Sequence, residues 1–227
     1  MSVGEEWDHI CTQLGLTDPA ARQALVEACE EFTAETGQLI ITQGARDKAV
    51  YLLLTGRVRV GVLSQSGADI WVSYLEPGAL FGEMAVLTDE PRSTEITADR
   101  ESRLARLEGR AFLELLATHG QLGLALSRML AKRMNKTTRR MFELSALTTT
   151  GRIYAELLRL SEPVEGSEAR RISPVPNFKE MGDRISAARE TVSRTVQGLS
   201  RKGILSRDED SIVLVDPERL RRLEDTM

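Results

Sequence analysis

The chain has 227 residues, 41% of them apolar and 28% charged, with a formal net charge of −4. This is enough for one large or two modest domains, and the composition excludes wholesale disorder. No apolar run approaches the ~18–20 residues of a membrane span, residues 1–8 carry Glu5, Glu6 and Asp8 without the cation of a secretory signal, and Cys11 and Cys29 are too few for a disulfide framework or a four-cysteine metal site, so a cytoplasmic protein without membrane contact is expected.

The first ~35 residues read as short helices. Over 20–32, Ala21, Leu25, Ala28 and Phe32 recur near a 3.6 period. From Gly37 to Leu107 the period becomes two. Residues 39–41, 50–54, 57–62, 70–75 and 103–107 are strand candidates, with Gly44, Gly56, Gly67 and Gly78 as turns between them. Many short strands with regular turns imply a small sandwich or barrel. A proline-free helical stretch over 111–147 follows, in which Leu130, Met134, Thr137, Met141 and Leu144 form a heptad seam. A second copy of the chain would supply a partner for that seam; packing on the chain's own β domain is the alternative. Residues 148–151 read as a hinge, 152–160 as a helix and 161–176 as a loop or hairpin. Residues 177–202 read as two helices broken near Ser186–Ala188, the first capped by Asn177. Residues 203–205 and 211–215 form a hairpin around Asp208, Glu209 and Asp210.

Charge is uneven along this plan. Residues 1–118 hold ten Lys/Arg against nineteen Asp/Glu, 119–147 six against one, and 148–227 fourteen of each. Within the last segment, 184–202 carries five cations against Glu190 alone. An acidic front and a locally basic stretch suit two different partners, although a solvated helix face gives the same counts.

Residues 81–94, FGEMAVLTDEPRST, carry the first chemistry. Gly82 opens a short helical segment whose free amides can face an anion. Arg92 offers a fork of donors to a phosphate, Ser93 adds a hydroxyl, and the Glu83 carboxylate accepts from a pair of sugar hydroxyls. Pairing of Arg92 with Glu83 or Asp89 is the alternative. The run Phe-Gly-Glu-x-Ala followed by Pro-Arg-Ser resembles the phosphate-binding cassette of cyclic-nucleotide-binding domains, and the Gly-punctuated strands resemble their β-roll. The resemblance implies Glu83 on the ribose, Arg92 and Ser93 on the cyclic phosphate, the Gly82 amide beside them, and Ser73 touching the ligand. Glu95 departs from the pattern as an acid close to the phosphate motif. Counted back from Gly151-Arg-Ile, Thr137 and Thr138 stand where cyclic-AMP receptor proteins place a Thr–Ser pair on adenine, one residue coming from the other subunit.

Residues 188–196, ARETVSRTV, carry the second chemistry. On a helix, Arg189, Glu190, Ser193 and Arg194 share a face near the N-terminus, while Val192, Val196 and Leu199 pack beneath. Arg pairs with guanine O6 and N7, and Glu accepts from cytosine N4. With the preceding helix this is a helix-turn-helix, and the hairpin makes it winged. The run Arg-Glu-Thr-Val-Ser-Arg resembles the recognition helix of the CRP/FNR family of bacterial transcription regulators. The resemblance implies that Arg189, Glu190 and Arg194 read bases of a TGTGA-like half-site, with Thr191 and Ser193 near phosphates. Ser186, where relatives often have Gly, and Ala188, in place of a capping Ser, depart from it, as does Phe178 at the start of the first helix.

The reading is an α+β chain: a cyclic-nucleotide-binding β-roll over 1–118, a dimerisation helix over 119–147 and a winged helix-turn-helix over 148–227. The resemblance implies a homodimeric regulator that binds cyclic AMP and a two-fold operator in double-stranded DNA, with RNA polymerase as a further partner. Cyclic GMP, cyclic di-GMP or no ligand on the same scaffold is the alternative. A nucleotide-binding regulatory subunit of an enzyme is the alternative of another class. No P-loop, Gly-x-Ser-x-Gly or metal-spaced His/Cys set is present, so neither an enzyme nor a metal is expected.

Overall fold

The structure is a computed structural model that describes residues 3–63 and 69–225; for Val3, Glu5, Asp69, Ile70, Trp71 and Asp225 it describes the backbone alone. Gly67, read as a turn, lies outside the described residues. The chain divides into two compact units, up to Met134 and from Asn135.

The first unit begins with α1 (Val3–Gln13) and α2 (Pro19–Glu27), followed by β1 (Glu30–Ala34), β2 (Leu39–Ile41), β3 (Ala49–Leu63), β4 (Asp69–Leu75), β5 (Leu80–Phe81), α3 (Glu83–Thr88), β6 (Glu95–Glu108) and α4 (Gly109–Thr118). The next helix, α5 (Gly120–Ala146), runs past the unit boundary. All strand pairings are antiparallel, in the order β1-β6-β3-β4, with β2 also on β6 and β5 on β3. Alternation along β3 builds two cores. Val50, Leu52 and Leu54 join Trp7, Leu16, Leu25, Phe112 and Leu122 in one, while Ala49, Tyr51 and Leu53 join Ile41, Phe81 and Ile96 in the other. An ion pair and an indole hydrogen bond secure α1 to the sheet: Arg103 donates to Glu6 Oε2 (2.6 Å), Trp7 Nε1 donates to Glu31 Oε1 (2.8 Å), and Arg103 also donates to Glu31 Oε2 (2.7 Å) across β6 and β1.

Three sequence readings are corrected here. The helix over 20–32 stops at Glu27, and Phe32 lies in β1, opposite Leu104 of β6; pairing with a long strand outweighs a coincidental apolar period. Gly56 sits inside β3 rather than in a turn between strands, at φ +92°, and a Cβ there would lie 2.3 Å from Ser102 Oγ. The register shifts around it show a local irregularity within one continuous strand. The helical stretch over 111–147 is two helices, broken at His119 (φ −118°, ψ 91°) just before the poor helix former Gly120.

The second unit contains the end of α5, then α6 (Thr149–Leu160), β7 (Glu162–Pro163), β8 (Arg170–Ile172), α7 (Phe178–Ile185), α8 (Arg189–Arg201), β9 (Leu205–Arg207), β10 (Ile212–Leu214) and α9 (Pro217–Asp225). Its sheet runs β7-β8-β10-β9, and its core joins Ile153, Leu157, Met181, Val192, Val196, Ile204 and Leu220. The break read over 148–151 is shorter than expected. Thr148 is already the N-cap of α6, its Oγ1 accepting from the Gly151 amide (3.2 Å), so Thr149–Gly151 are helical.

Candidate nucleotide pocket and DNA-reading helix

In the first unit, β3, β4, β5, α3 and the residues before β6 enclose a cavity of about 250 Å³, whose lining includes Val60, Ser73, Phe81, Gly82, Glu83, Arg92, Ser93, Thr94 and Arg133. Gly82 makes the turn into α3. Its φ is +83°, and a Cβ there would come within 2.9 Å of both the Ala49 carbonyl oxygen and Arg92 Nη1. A side chain would therefore disturb both the turn and the guanidinium.

Arg92 is 3% exposed. Its Nε and Nη2 donate to Asp47 Oδ1 (3.3 Å) and Oδ2 (2.5 Å), Nη2 also to Ala49 O (2.7 Å), and Nη1 to Gly82 O (2.7 Å). A guanidinium has five N–H donors, so one Nη1 hydrogen has no acceptor among the described residues. Arg92 holds the Asp47 carboxyl well below its ordinary range, and Asp47 is anionic at neutral pH. Glu83, 2% exposed, accepts from Arg133 Nη1 (2.7 Å), while Arg133 Nη2 donates to Leu80 O. Burial pushes the Glu83 carboxyl up, and Arg133 opposes that shift. Two guanidinium groups and one carboxylate thus meet beside an apolar wall. The structure brings Ser73, Gly82, Glu83, Arg92 and Ser93 to one cavity. Glu95 is not among its described lining residues.

Sequence reasoning missed Asp47 and Arg133, which lie 45 and 50 residues from their partners. The available signal for Arg133 was its position one helical turn before Thr137. Thr137 and Thr138 lie on α5 in the second unit, and both are exposed.

The second unit holds the other candidate surface. Asn177 Oδ1 caps α7 by accepting from the Lys179 (2.9 Å) and Glu180 (3.5 Å) amides. A Cβ on Gly182 would lie 2.4 Å from Ala187 O, so glycine permits the tight approach of the turn to α7, a requirement the sequence reading did not identify. Ser186 occupies the left-handed region (φ 54°, ψ 52°), and Ala188 caps α8 without a side-chain hydrogen bond. On α8, Val192, Val196 and Leu199 are buried, Arg189, Glu190 and Arg194 are exposed, and Thr191 and Ser193 are half-buried. Arg194 Nε donates to Glu190 O (3.3 Å). Among the described residues, Arg189, Glu190 and Arg194 form no ion pair, so the face is not spent on internal Arg–Glu pairing. The β9–β10 turn carries Asp208, Glu209 and Asp210, with Asp208 Oδ1 accepting from the Asp210 and Ser211 amides.

A pocket of this chemistry in a β-roll, with a winged helix-turn-helix in the same chain, defines a DNA-binding regulator with a nucleotide-binding domain. Two family models match: the cyclic nucleotide-binding domain over residues 31–119 and the Crp-like helix-turn-helix domain over residues 151–223. The chain belongs to the CRP/FNR family of transcription regulators. It is 24% identical over 220 residues to the CRP-like cAMP-activated global transcriptional regulator of Mycobacterium tuberculosis (strain ATCC 25618 / H37Rv), covering 95% of this chain and 98% of the relative. Its fold is similar to that of CprK complexed with OCPA (TM-score 0.75, 16% identity, 89% of this chain and 94% of that one). It is also similar in fold to the c-di-GMP responsive global regulator CLP of Xanthomonas campestris (TM-score 0.69, 20% identity, 87% and 99%). Among the described residues, no helix is long and apolar enough to cross a membrane.

Proposed function

We propose that the chain is a homodimeric, cytoplasmic transcription regulator whose effector is cyclic AMP. The observation that carries this reading is the meeting of Arg92 and Glu83, both buried, on one cavity of about 250 Å³. Arg92 receives the cyclic phosphate with Ser93 and the Gly82 amide, and Glu83 accepts from the ribose hydroxyl, with Ser73 at the wall. The cavity suits one cyclic mononucleotide better than a cyclic dinucleotide of twice the size. Thr137 and Thr138, four and five residues after Arg133 along α5, are the proposed adenine contacts, one supplied by each protomer. The M. tuberculosis relative's description as cAMP-activated supports the same ligand.

In this reading residues 1–118 sense, 119–147 dimerise and 148–227 bind DNA. The exposed face of α8 enters the major groove of a two-fold operator. Arg189, Glu190 and Arg194 read base edges of a TGTGA-like half-site, and Thr191 and Ser193 approach phosphates. RNA polymerase is the partner through which the bound dimer acts. No catalytic step belongs to this function.

Titration calorimetry with cyclic AMP, cyclic GMP and cyclic di-GMP tests the pocket. Cyclic AMP binds with the largest affinity. Arg92→Leu abolishes binding, and Asp47→Asn tightens it because the phosphate no longer competes with a carboxylate for the guanidinium. Unchanged heat in Arg92→Leu refutes the pocket assignment.

A further inference from the structure

The carboxyl end of α7 is the turn of the helix-turn-helix, and it leaves carbonyls that the helix itself cannot satisfy. Guanidinium groups from two other helices satisfy three of them. Arg140 of α5 donates through Nη2 to Arg184 O (2.8 Å). Arg152 of α6 donates through Nε to Ile185 O (2.8 Å) and through Nη2 to Ser186 O (3.3 Å), while its Nη1 holds Leu147 O (3.1 Å) at the end of α5. The tail of α5 is braced on α6 as well. Arg159 donates to Glu143 Oε1 (2.6 Å) and to Glu156. Glu156, 3% exposed, also faces Arg184 Nη1 at 3.8 Å. All of these residues lie in the second unit. The break at Leu147–Thr148 is therefore bridged on both sides by side chains, and the tail of α5, α6 and the start of the turn form one polar-braced body.

We propose that Arg140 is a positioning residue for DNA recognition. By tying the carboxyl end of α7 to the tail of α5, it fixes the angle at which α8 leaves the turn relative to the helix that pairs the protomers. This inference rests on the dimeric DNA-binding reading. Two recognition helices fit half-sites about one helical turn apart, so in a dimer the tie fixes the half-site spacing the protein accepts. The base contacts on α8 set preference within a half-site and do not involve Arg140. The two properties are separable by experiment, which a merely structural role for Arg140 would not allow.

The test uses the full chain with its parental sequence, Arg140→Ala and Arg140→Lys, cyclic AMP as effector, and an operator library varied both in half-site sequence and in spacing by single base pairs. In Arg140→Ala the preference for the best spacing over its neighbours falls by about tenfold, the scale of one charge-assisted hydrogen bond, while base preference within the half-site is unchanged. Arg140→Lys, which can still donate to Arg184 O, restores part of the spacing preference. Hydrogen exchange of the Ser186 and Ala187 amides quickens by about tenfold in Arg140→Ala, and that of Ile212 and Leu214 in β10 does not change. Intact spacing preference with intact protection of Ser186 and Ala187 overturns the proposal. Loss of half-site preference together with faster exchange in β10 also overturns it, because Arg140 is then only a folding residue. If the parental chain discriminates no operator, the DNA-binding reading itself fails, and the exchange at Ser186 and Ala187 still decides whether Arg140 holds the turn.

Discussion

At the scale of single residues, Glu83 and Arg92 were legible because a short motif carries them, whereas their partners were not. Arg133 reaches the cavity, and Asp47 reaches Arg92, only once the chain has folded, and nothing local marks either as a partner. Glu83 also has a measurable signature. Burial raises its pKa above the ordinary carboxylate value, so the native state keeps a proton that the unfolded chain has released. By linkage this group's contribution to stability is greatest in acid and is lost as pH rises through the raised pKa. Denaturant unfolding across a pH series that starts at the ordinary glutamate value, about pH 4, therefore shows a fall in stability with rising pH that Glu83→Gln removes. Equal slopes in the two proteins would mean that Glu83 does not titrate there. Ligand binding has the opposite dependence, because a ribose hydroxyl is accepted best by the ionised carboxylate, so nucleotide affinity weakens on acidification through the same range.

At the scale of elements, the winged helix-turn-helix was the most legible part of the chain. Asn177, the break at Ser186–Ala188 and the α8 stripe of Val192, Val196 and Leu199 all stand where propensity and period place them. The β-roll was legible in kind and not in length. Gly56 signals a turn by composition, but here the backbone passes through φ +92° within the 15-residue strand β3, because β6 lies too close for a side chain. The residues before Arg103 in β6 alternate too many charges to reveal a strand. Ser186 yields a prediction at this scale. A left-handed conformation costs a non-glycine residue about 1 kcal/mol, and Ser186 adopts one (φ 54°) with its side chain exposed. Ser186→Gly therefore raises stability by up to about 0.5 kcal/mol, the roughly 1 kcal/mol of strain relieved less the roughly 0.5–1 kcal/mol of added freedom in the unfolded chain. A lower melting temperature would show that the serine is not strained.

At the scale of the whole molecule, the heptad period of α5 was readable, and the structure leaves three of its four apolar members in solvent within one chain: Met134 is 67% exposed, Met141 65% and Leu144 49%, while Leu130 is half-buried. A second copy of α5 is the proposed cover. Met141→Glu places a charge on that seam, so sedimentation should give a monomer and two-site operator affinity should collapse while calorimetry still detects nucleotide. A dimer of unchanged stability would remove α5 as the interface. Recognition gives a second prediction: Glu190→Ala relaxes discrimination at one base pair by about 1–3 kcal/mol in a binding-site selection, and an unaltered preference excludes Glu190 from the reading set. The charge balance of the second half has a further consequence. Residues 148–227 are formally neutral, and Asp208, Glu209 and Asp210 crowd the tip of the wing. The cations are concentrated instead on residues 184–202, five against Glu190 alone, so a duplex that meets α8 sheds its condensed counterions at that stretch, and the acidic wing tip adds nothing to the release.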